Sequence, residues 1–413
     1  MAQFRQLGIA EPLWKAIKEE NFEEPSEIQA KSIPLVLDGK DVIACAATGS
    51  GKTLAFGSGI IQYSEKGKGI QALVLTPTRE LAEQVALAMK RYSKYRPLSI
   101  IAVYGGVSIG PQIRDLKTAD VVIGTPGRII DHIQRRTIQL NRMRVLVLDE
   151  ADRMLDMGFI HDVEKIIRQC PPYRQTLLFS ATITGDISRL AQRYMKNPVE
   201  VSAESEVDPE KLEQVYYDVP DHIKFSLLVH LLKNETAGLV MVFCNTKGNT
   251  DFVADNLKHN GINAQAIHGG LTQDRRSSIM QQFHSKNVCV LVCTDVAARG
   301  LDIKGVSHVY NYDIPHESKS YIHRIGRTAR AGAEGKAINI LTQRDYDFFR
   351  KISRDRAVKA VREEVPYIER VKIVIPERRE RFGGGRPGGG YGRGGGPPHG
   401  RQGRGRRQQR ERR

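Results

Sequence analysis

Residues 41–53 read Asp41-Val42-Ile43-Ala44-Cys45-Ala46-Ala47-Thr48-Gly49-Ser50-Gly51-Lys52-Thr53, an apolar strand-like run that breaks into a glycine-rich loop closed by lysine and threonine. Further along, Val145-Leu146-Val147-Leu148 runs directly into Asp149-Glu150-Ala151-Asp152. Hydrolysis of a nucleoside triphosphate needs both parts. A loop of backbone N–H groups with a lysine holds the phosphates, and a carboxylate pair holds Mg2+ and orients a water. In an open parallel sheet, ligands bind beyond the carboxyl ends of the strands, which is where both strings fall. The cradle is therefore expected from Ala47, Thr48, Gly49, Ser50 and Gly51, although Ala46 stands where the usual pattern has glycine. Lys52 would reach the outer phosphates, Thr53 and Asp149 would ligate Mg2+, and Glu150 would orient or deprotonate the attacking water.

Outward from these strings, residues 1–203 alternate short β-rich runs (42–45, 72–76, 121–123, 145–148 and 176–179) with helical patterns. Residues 204–210, acidic and ending Asp208-Pro209-Glu210, interrupt that rhythm as a linker. A second alternating block, 211–365, has runs at 239–243, 264–267, 288–293, 308–310 and 337–341 but no phosphate loop. Its last helix is expected over 345–361, with Phe348, Phe349 and Ile352 inward at helical spacing. Residues 366–413 read as a basic Gly/Arg-rich tail, disordered from about 381, because beyond that point almost nothing apolar remains to form a core. The fold class is α/β, two tandem domains, each a mostly parallel sheet flanked by helices.

The bulk numbers agree with a nucleic-acid partner. The formal charge is +16, and residues 377–413 hold 12 arginines against 3 glutamates, so +9 of it lies in the tail. A basic body with a strongly basic end suits a polyanion. No apolar run is long enough to cross a membrane, and Met1–Arg5 does not read as a secretion signal. The five cysteines lack zinc-like pairing and are expected as buried, reduced thiols, with Cys289 and Cys293 on one strand face. Trp14, with Leu13 and Ile17, is expected in the core rather than as a base-stacking platform.

Further strings in the same chain order carry a family resemblance. Asn21-Phe22-Glu23-Glu24-Pro25-Ser26-Glu27-Ile28-Gln29, with Phe4 upstream, precedes the phosphate loop; Pro77-Thr78-Arg79-Glu80-Leu81-Ala82, Gly105-Gly106, Thr125-Pro126-Gly127-Arg128 and Ser180-Ala181-Thr182 follow it. The second block contributes Val242–Thr246, Gln273–Arg276, Thr294–Asp302 and His323-Arg324-Ile325-Gly326-Arg327-Thr328-Ala329-Arg330. Over about residues 4–345 the chain resembles the DEAD-box ATP-dependent RNA helicases, which implies tandem RecA-like domains, ATP with Mg2+, and RNA as partner. The resemblance implies that Gln29 reads the adenine edge while Phe22 stacks on it, and that Asp302 contacts the ribose. It places Pro77, Thr78, Arg79, Gly105, Gly106, Thr125, Gly127, Arg128, Asn245, Thr246, Arg276 and Thr294 on RNA, mostly at phosphates and sugars. It couples Asp152, Ser180, Thr182 and His323 to one another. Asn21 and Ala329 depart from the family's usual glycines.

Arg327 and Arg330 carry a physical consequence. Phosphoryl transfer spreads negative charge over the γ-oxygens, and arginines aimed there stabilise it. These two lie in the block without a phosphate loop, so they act only when the blocks close. The resulting expectation is a monomeric, cytoplasmic, prokaryotic RNA-stimulated ATPase that unwinds short duplexes locally, with ribosomal or RNA-decay proteins as candidate partners. An ATP-gated RNA clamp and a DNA helicase share most of these strings and remain open alternatives.

Overall fold

The computed structural model describes residues 2–47, 49–203, 212–235, 238–298, 303, 305–329 and 334–374. The expected linker 204–210 and the tail from 375 onward lie outside them, as do three expected site residues, Thr48, Asp302 and Arg330.

Among the described residues the chain forms two seven-stranded sheets. The first holds β1 (Val42–Cys45), β2 (Ala72–Leu75), β3 (Ile100–Val103), β4 (Val121–Gly124), β5 (Val145–Leu148), β6 (Gln175–Ser180) and β7 (Val199–Ser202). Its spatial order is β3-β4-β2-β5-β6-β1-β7, with every pairing parallel. The second holds β8 (Leu212–Asp218), β9 (Leu239–Cys244), β10 (Ala264–Ile267), β11 (Val290–Thr294), β12 (Val306–Asn311), β13 (Gly335–Leu341) and β14 (Val361–Arg362). Its order is β10-β11-β9-β12-β13-β8-β14, again all parallel. These are tandem RecA-like domains.

The continuous apolar runs follow from burial on both faces. Successive strand side chains point to opposite sides. Val42, Ala44, Ala72, Val74, Val147, Leu177 and Phe179 enter one core, while Ile43, Leu73, Leu75, Leu146, Leu148 and Leu178 enter the other. The second sheet repeats this, with Val240, Val242 and Val292 on one side and Met241, Phe243 and Leu291 on the other. Each fully buried leucine or valine contributes about 1.5–3 kcal/mol, so helices must cover both faces. Leu13 and Ile17 are core, and Trp14 packs half-buried against them, as expected.

Three expectations change. The helix expected over 345–361 is a 3-10 turn, Gln343–Asp345, and a short helix, Tyr346–Ile352. Ser353 ends it by bonding its hydroxyl to the Phe349 carbonyl, and the Asp355 carboxylate then accepts the Ala357 N–H in a turn. Such side chain–backbone bonds compete with helix continuation. Phe349 and Ile352 are still buried. Second, the chain beyond 365 stays on the second domain through Val374. Ile368 and Val371 pack on its core, the Val371 N–H donates to Ser226, and Asn256 bonds both N–H and C=O of Val374. Third, Cys289 precedes β11 and is exposed, and Cys45 is only partly buried.

Candidate active site

Sheet order sorts the expected site residues. The phosphate loop, Asp149-Glu150 and Ser180-Ala181-Thr182 leave the carboxyl ends of β1, β5 and β6, three adjacent strands. Thr78-Arg79, Gly105-Gly106 and Thr125–Arg128 leave β2, β3 and β4, which are also adjacent.

The phosphate loop turns into helix Lys52–Tyr63 through Gly51 at φ +86°, a left-handed conformation that glycine adopts without strain. A Cβ at Gly51 would also meet the Gln29 amide, 2.2 Å away. Gln29 donates to the Gly51 carbonyl (3.1 Å) and accepts the Ser26 N–H (3.0 Å), and the Ser26 hydroxyl donates to the Ser50 carbonyl (2.6 Å). The expected adenine reader is thus bonded to the expected phosphate cradle. Phe22 sits half-buried beside Tyr92, ring centroids 6.3 Å apart. Asn21, at φ +57°, occupies the left-handed region that explains the family's usual glycine there. Lys52 is buried, its ammonium donating to the Ala46 carbonyl at 3.0 Å.

The carboxylates beyond β5 are buried in unequal settings. Burial pushes the Asp149 carboxyl up to about 7; Lys52 opposes this and Glu150 adds to it. Glu150 takes left-handed backbone angles (φ 50°, ψ 51°), and its Oε2 accepts Arg153 Nη1 at 2.7 Å. Asp152 is the better-supported anion. Burial would raise its pKa, but Lys52, Arg153, a Ser180 hydrogen bond and His323 together hold it below the ordinary value. Its Oδ2 accepts both the N–H and the hydroxyl of Thr182 at 3.1 Å, and Ser180 Oγ accepts the Asp152 N–H at 3.2 Å. The expected coupling set therefore converges physically within the first domain.

The second domain reaches the same place. His323 lies on helix Ser318–Ile325, and burial, Arg153, Arg327 and Lys319 lower its pKa to about 4 against the pull of Asp152. Its Nδ1 is buried with no hydrogen-bond partner among the described residues. Arg327 is buried just beyond that helix. Ion pairs cross between the domains among the described residues. Arg276 meets Glu80 at 2.9 Å, and Lys319 donates to both Asp156 oxygens at 2.9 and 3.1 Å.

Beyond β2–β4 a cleft of about 480 Å³ is lined by residues that include Pro77, Thr78, Arg79, Gly105, Thr125, Gly127 and Arg128 from the first domain and Gly269, Gln273 and Arg276 from the second, with the acidic Glu80 and Asp131 beside the three arginines. The Arg79 guanidinium lies over Gly106, where any Cβ would stand 1.9 Å from it. Arg128 is held by Gln112 and the Val107 carbonyl. Most of the expected RNA set thus shares one cleft. Gly106, Asn245, Thr246 and Thr294 are not among its lining residues. Asn245 bonds Arg324 and the Ile314 carbonyl, Thr246 caps helix Lys247–His259, and Thr294 accepts the Ala297 N–H.

Four features escaped the sequence. Arg153 stands three residues after Glu150, a spacing that could have suggested the pair. Arg324, inside a recognised string, is 1% exposed and holds Asp295 with two bonds while also reaching Asn311 and Asn245. The two interdomain pairs have no signal in linear spacing.

A parallel-sheet domain with a phosphate loop and buried carboxylates, faced by a second parallel-sheet domain supplying a histidine and an arginine, defines a two-domain nucleoside triphosphatase. The DEAD/DEAH box helicase model matches residues 26–190, and the helicase conserved C-terminal domain matches 223–332. The ATP-dependent RNA helicase CshA of Listeria monocytogenes is 47% identical over 354 residues, 85% of this chain and 68% of the relative. The DEAD-box ATP-dependent RNA helicase CshA of Geobacillus kaustophilus is 46% identical over 373 residues, 89% and 80% of the two chains. Among solved structures, S. cerevisiae Dbp5 bound to RNA and ADP BeF3 superposes with a TM-score of 0.79 at 32% identity, covering 87% of this chain and 95% of that one. This protein belongs to the DEAD-box helicase family.

Proposed function

We propose that the protein is an ATP-dependent RNA helicase whose hydrolysis is stimulated by RNA and whose unwinding is local rather than processive. The observation that carries this reading is that His323 of the second domain lies close enough for its charge to act on Asp152, which the Ser180-Ala181-Thr182 segment holds beyond the strands that carry the phosphate loop. Phe22 and Gln29 bind the base, residues 47–53 hold the phosphates, and Asp302 takes the ribose. Arg79, Arg128 and Arg276 hold the RNA backbone, largely without regard to sequence.

Mg2+ fits the oxygen donors present. Thr53 and Asp149 would hold it, and a buried carboxylate lifted by desolvation gains from a nearby cation. Among the described residues no cluster of three His, Cys, Asp or Glu offers a full ligand set, which suits an ion that keeps waters and phosphate oxygens. The ion supplies charge neutralisation at the phosphates. Glu150 orients and deprotonates the attacking water, and Lys52, Arg327 and Arg330 stabilise the charge developing on the transferred group. Because the arginines come from the second domain, closure on RNA completes the site and makes turnover depend on RNA.

We further assign it as a monomer acting in the cytoplasm, with ribosomal or RNA-decay proteins as partners. Among the described residues no helix is long and apolar enough to cross a membrane. The arginine- and glycine-rich stretch 381–413 adds phosphate attraction and stacking, so its removal should weaken RNA affinity and flatten its salt dependence. The deciding experiment is steady-state ATP hydrolysis alone, with single-stranded RNA and with matched DNA, using Glu150→Gln as the blank. Stimulation by RNA only, lost in the variant, supports the reading. Equal stimulation by DNA, or tight ATP-dependent RNA binding without turnover, refutes it in favour of a DNA helicase or a clamp.

A further inference from the structure

The short helix Ala151–Asp156 and helix Ser318–Ile325 face each other across the domains at two levels. At one level Asp152 and His323 feel each other's charge; at the other Lys319 spans both oxygens of Asp156, at 2.9 and 3.1 Å. Asp152 and Asp156 are four residues apart, as are Lys319 and His323, so each pair of side chains lies along one helix face about 6 Å apart. The order reverses between the helices, so the ion pair and the charge interaction occur together in a single antiparallel register. A slip of one helical turn, about 5.4 Å, would leave only one contact occupied.

We propose that Lys319 and Asp156 form a register pin for domain closure, a positioning pair that sets where His323 and the following Arg327 arrive against Asp152. The pin rests on the reading that closure completes the hydrolytic site. It lies apart from the interdomain pair Glu80–Arg276, both of whose residues line the cleft beyond β2–β4. Two attachment points at different strand ends fix the orientation of one domain on the other, where a single pair would leave it free to swivel. Both partners are about one-third exposed, which places the pin within reach of solvent and salt. Its effect is accordingly modest, and it acts on geometry more than on fold stability.

The test uses the full chain with Lys319→Glu, Asp156→Lys and the double exchange of the two charges. Each single variant is expected to lower RNA-stimulated kcat about two- to five-fold at low salt, with KM for ATP unchanged. The double exchange should restore most of the loss, and the differences should shrink at high salt. Equal Tm values would separate positioning from misfolding. Single variants indistinguishable from wild type, or a double exchange that fails to rescue, would overturn the pin. Small-angle scattering with RNA and a non-hydrolysable ATP analogue reads closure directly. If the wild type lacks RNA-stimulated turnover the helicase reading falls, while the pin still stands or falls on whether the singles open the closed form and the exchange recloses it.

Discussion

Replacing Arg324 by alanine should unfold the second domain before the first. The guanidinium is 1% exposed, donates to both Asp295 oxygens at 2.6 and 2.7 Å, to Asn245 at 2.9 Å and to Asn311 at 3.2 Å, and lies 5.1 Å from the Phe243 ring centre. Removing one partner of a buried ion pair costs about 3–5 kcal/mol, because the remaining charge stays desolvated. Asp295 is 26% exposed and recovers some hydration, which favours the lower end; Asn311 is fully buried and loses its donor outright, which favours the upper. An expected loss of about 4 kcal/mol is a large part of the roughly 5–15 kcal/mol that holds a domain together. With a urea slope of about 2 kcal/mol/M, the midpoint should fall by about 2 M. The single tryptophan, Trp14, lies in the first domain, so its fluorescence follows that domain while far-UV circular dichroism follows both. The dichroism should show an early transition that tryptophan does not. Arg324→Lys should lie between, since one ammonium cannot reproduce a planar fork. A midpoint for Arg324→Ala within about 0.3 M of wild type would refute the view that this network frames the domain.

Other consequences are equally direct. Gly106→Ala places a methyl where the Arg79 guanidinium now lies, so RNA affinity should fall and the salt slope flatten by about 0.7, the loss of one phosphate contact. Fluorescence anisotropy across a salt series checks this, and an unchanged slope would exclude Arg79 from phosphate. His323 has its folded pKa, about 4, below the ordinary 6.5, so folding favours its neutral form. Its contribution is therefore complete above about pH 6.5 and lost as pH falls toward 4, so the decline of the urea midpoint should be shallower in His323→Gln, the remainder coming from His132 and His308, whose burial also lowers their pKa values. Ala329 holds a left-handed φ of +52° but its methyl is buried in the core. In Ala329→Gly the relieved strain of about 1–2 kcal/mol is offset by about 0.8 kcal/mol of lost burial and about 0.5–1 kcal/mol of backbone entropy, and calorimetry should find Tm nearly unchanged.

What the sequence disclosed was local. β1, β2, β4, β5 and β6 were visible because they are buried on both faces and read as unbroken apolar runs. β7 (Val-Glu-Val-Ser) sits at the sheet edge with only partial burial, and β14 is two exposed residues, so neither carries such a run. β8 alternates buried Leu212 with exposed Glu213 and follows an acidic stretch, which masked it. The nucleotide loop and the carboxylates were legible because each lies within a short string beside a strand end, whereas the contact of Asp152 with Thr182, 30 residues away, was implied only by the family resemblance. Glu80–Arg276 and Lys319–Asp156 were not, since partners so distant in sequence meet only after both sheets have formed. Ala329 was readable as a departure from glycine, but its strained backbone was not.

Strand order in the first sheet also bears on how this protein can change. In the proposed function the loops after β1, β5 and β6 serve the nucleotide and those after β3, β4 and β2 the nucleic acid, and each group leaves neighbouring strands. Only the β2–β5 border brings the two groups side by side. Substitutions well separated in space combine nearly additively, whereas neighbours interfere. Alterations after β3 and β4 can therefore retune what is gripped while leaving the fuel site's energetics intact. Alterations after β2 and β5 cannot be made independently, and variation that exchanges one nucleic-acid preference for another should accumulate at the outer strands first.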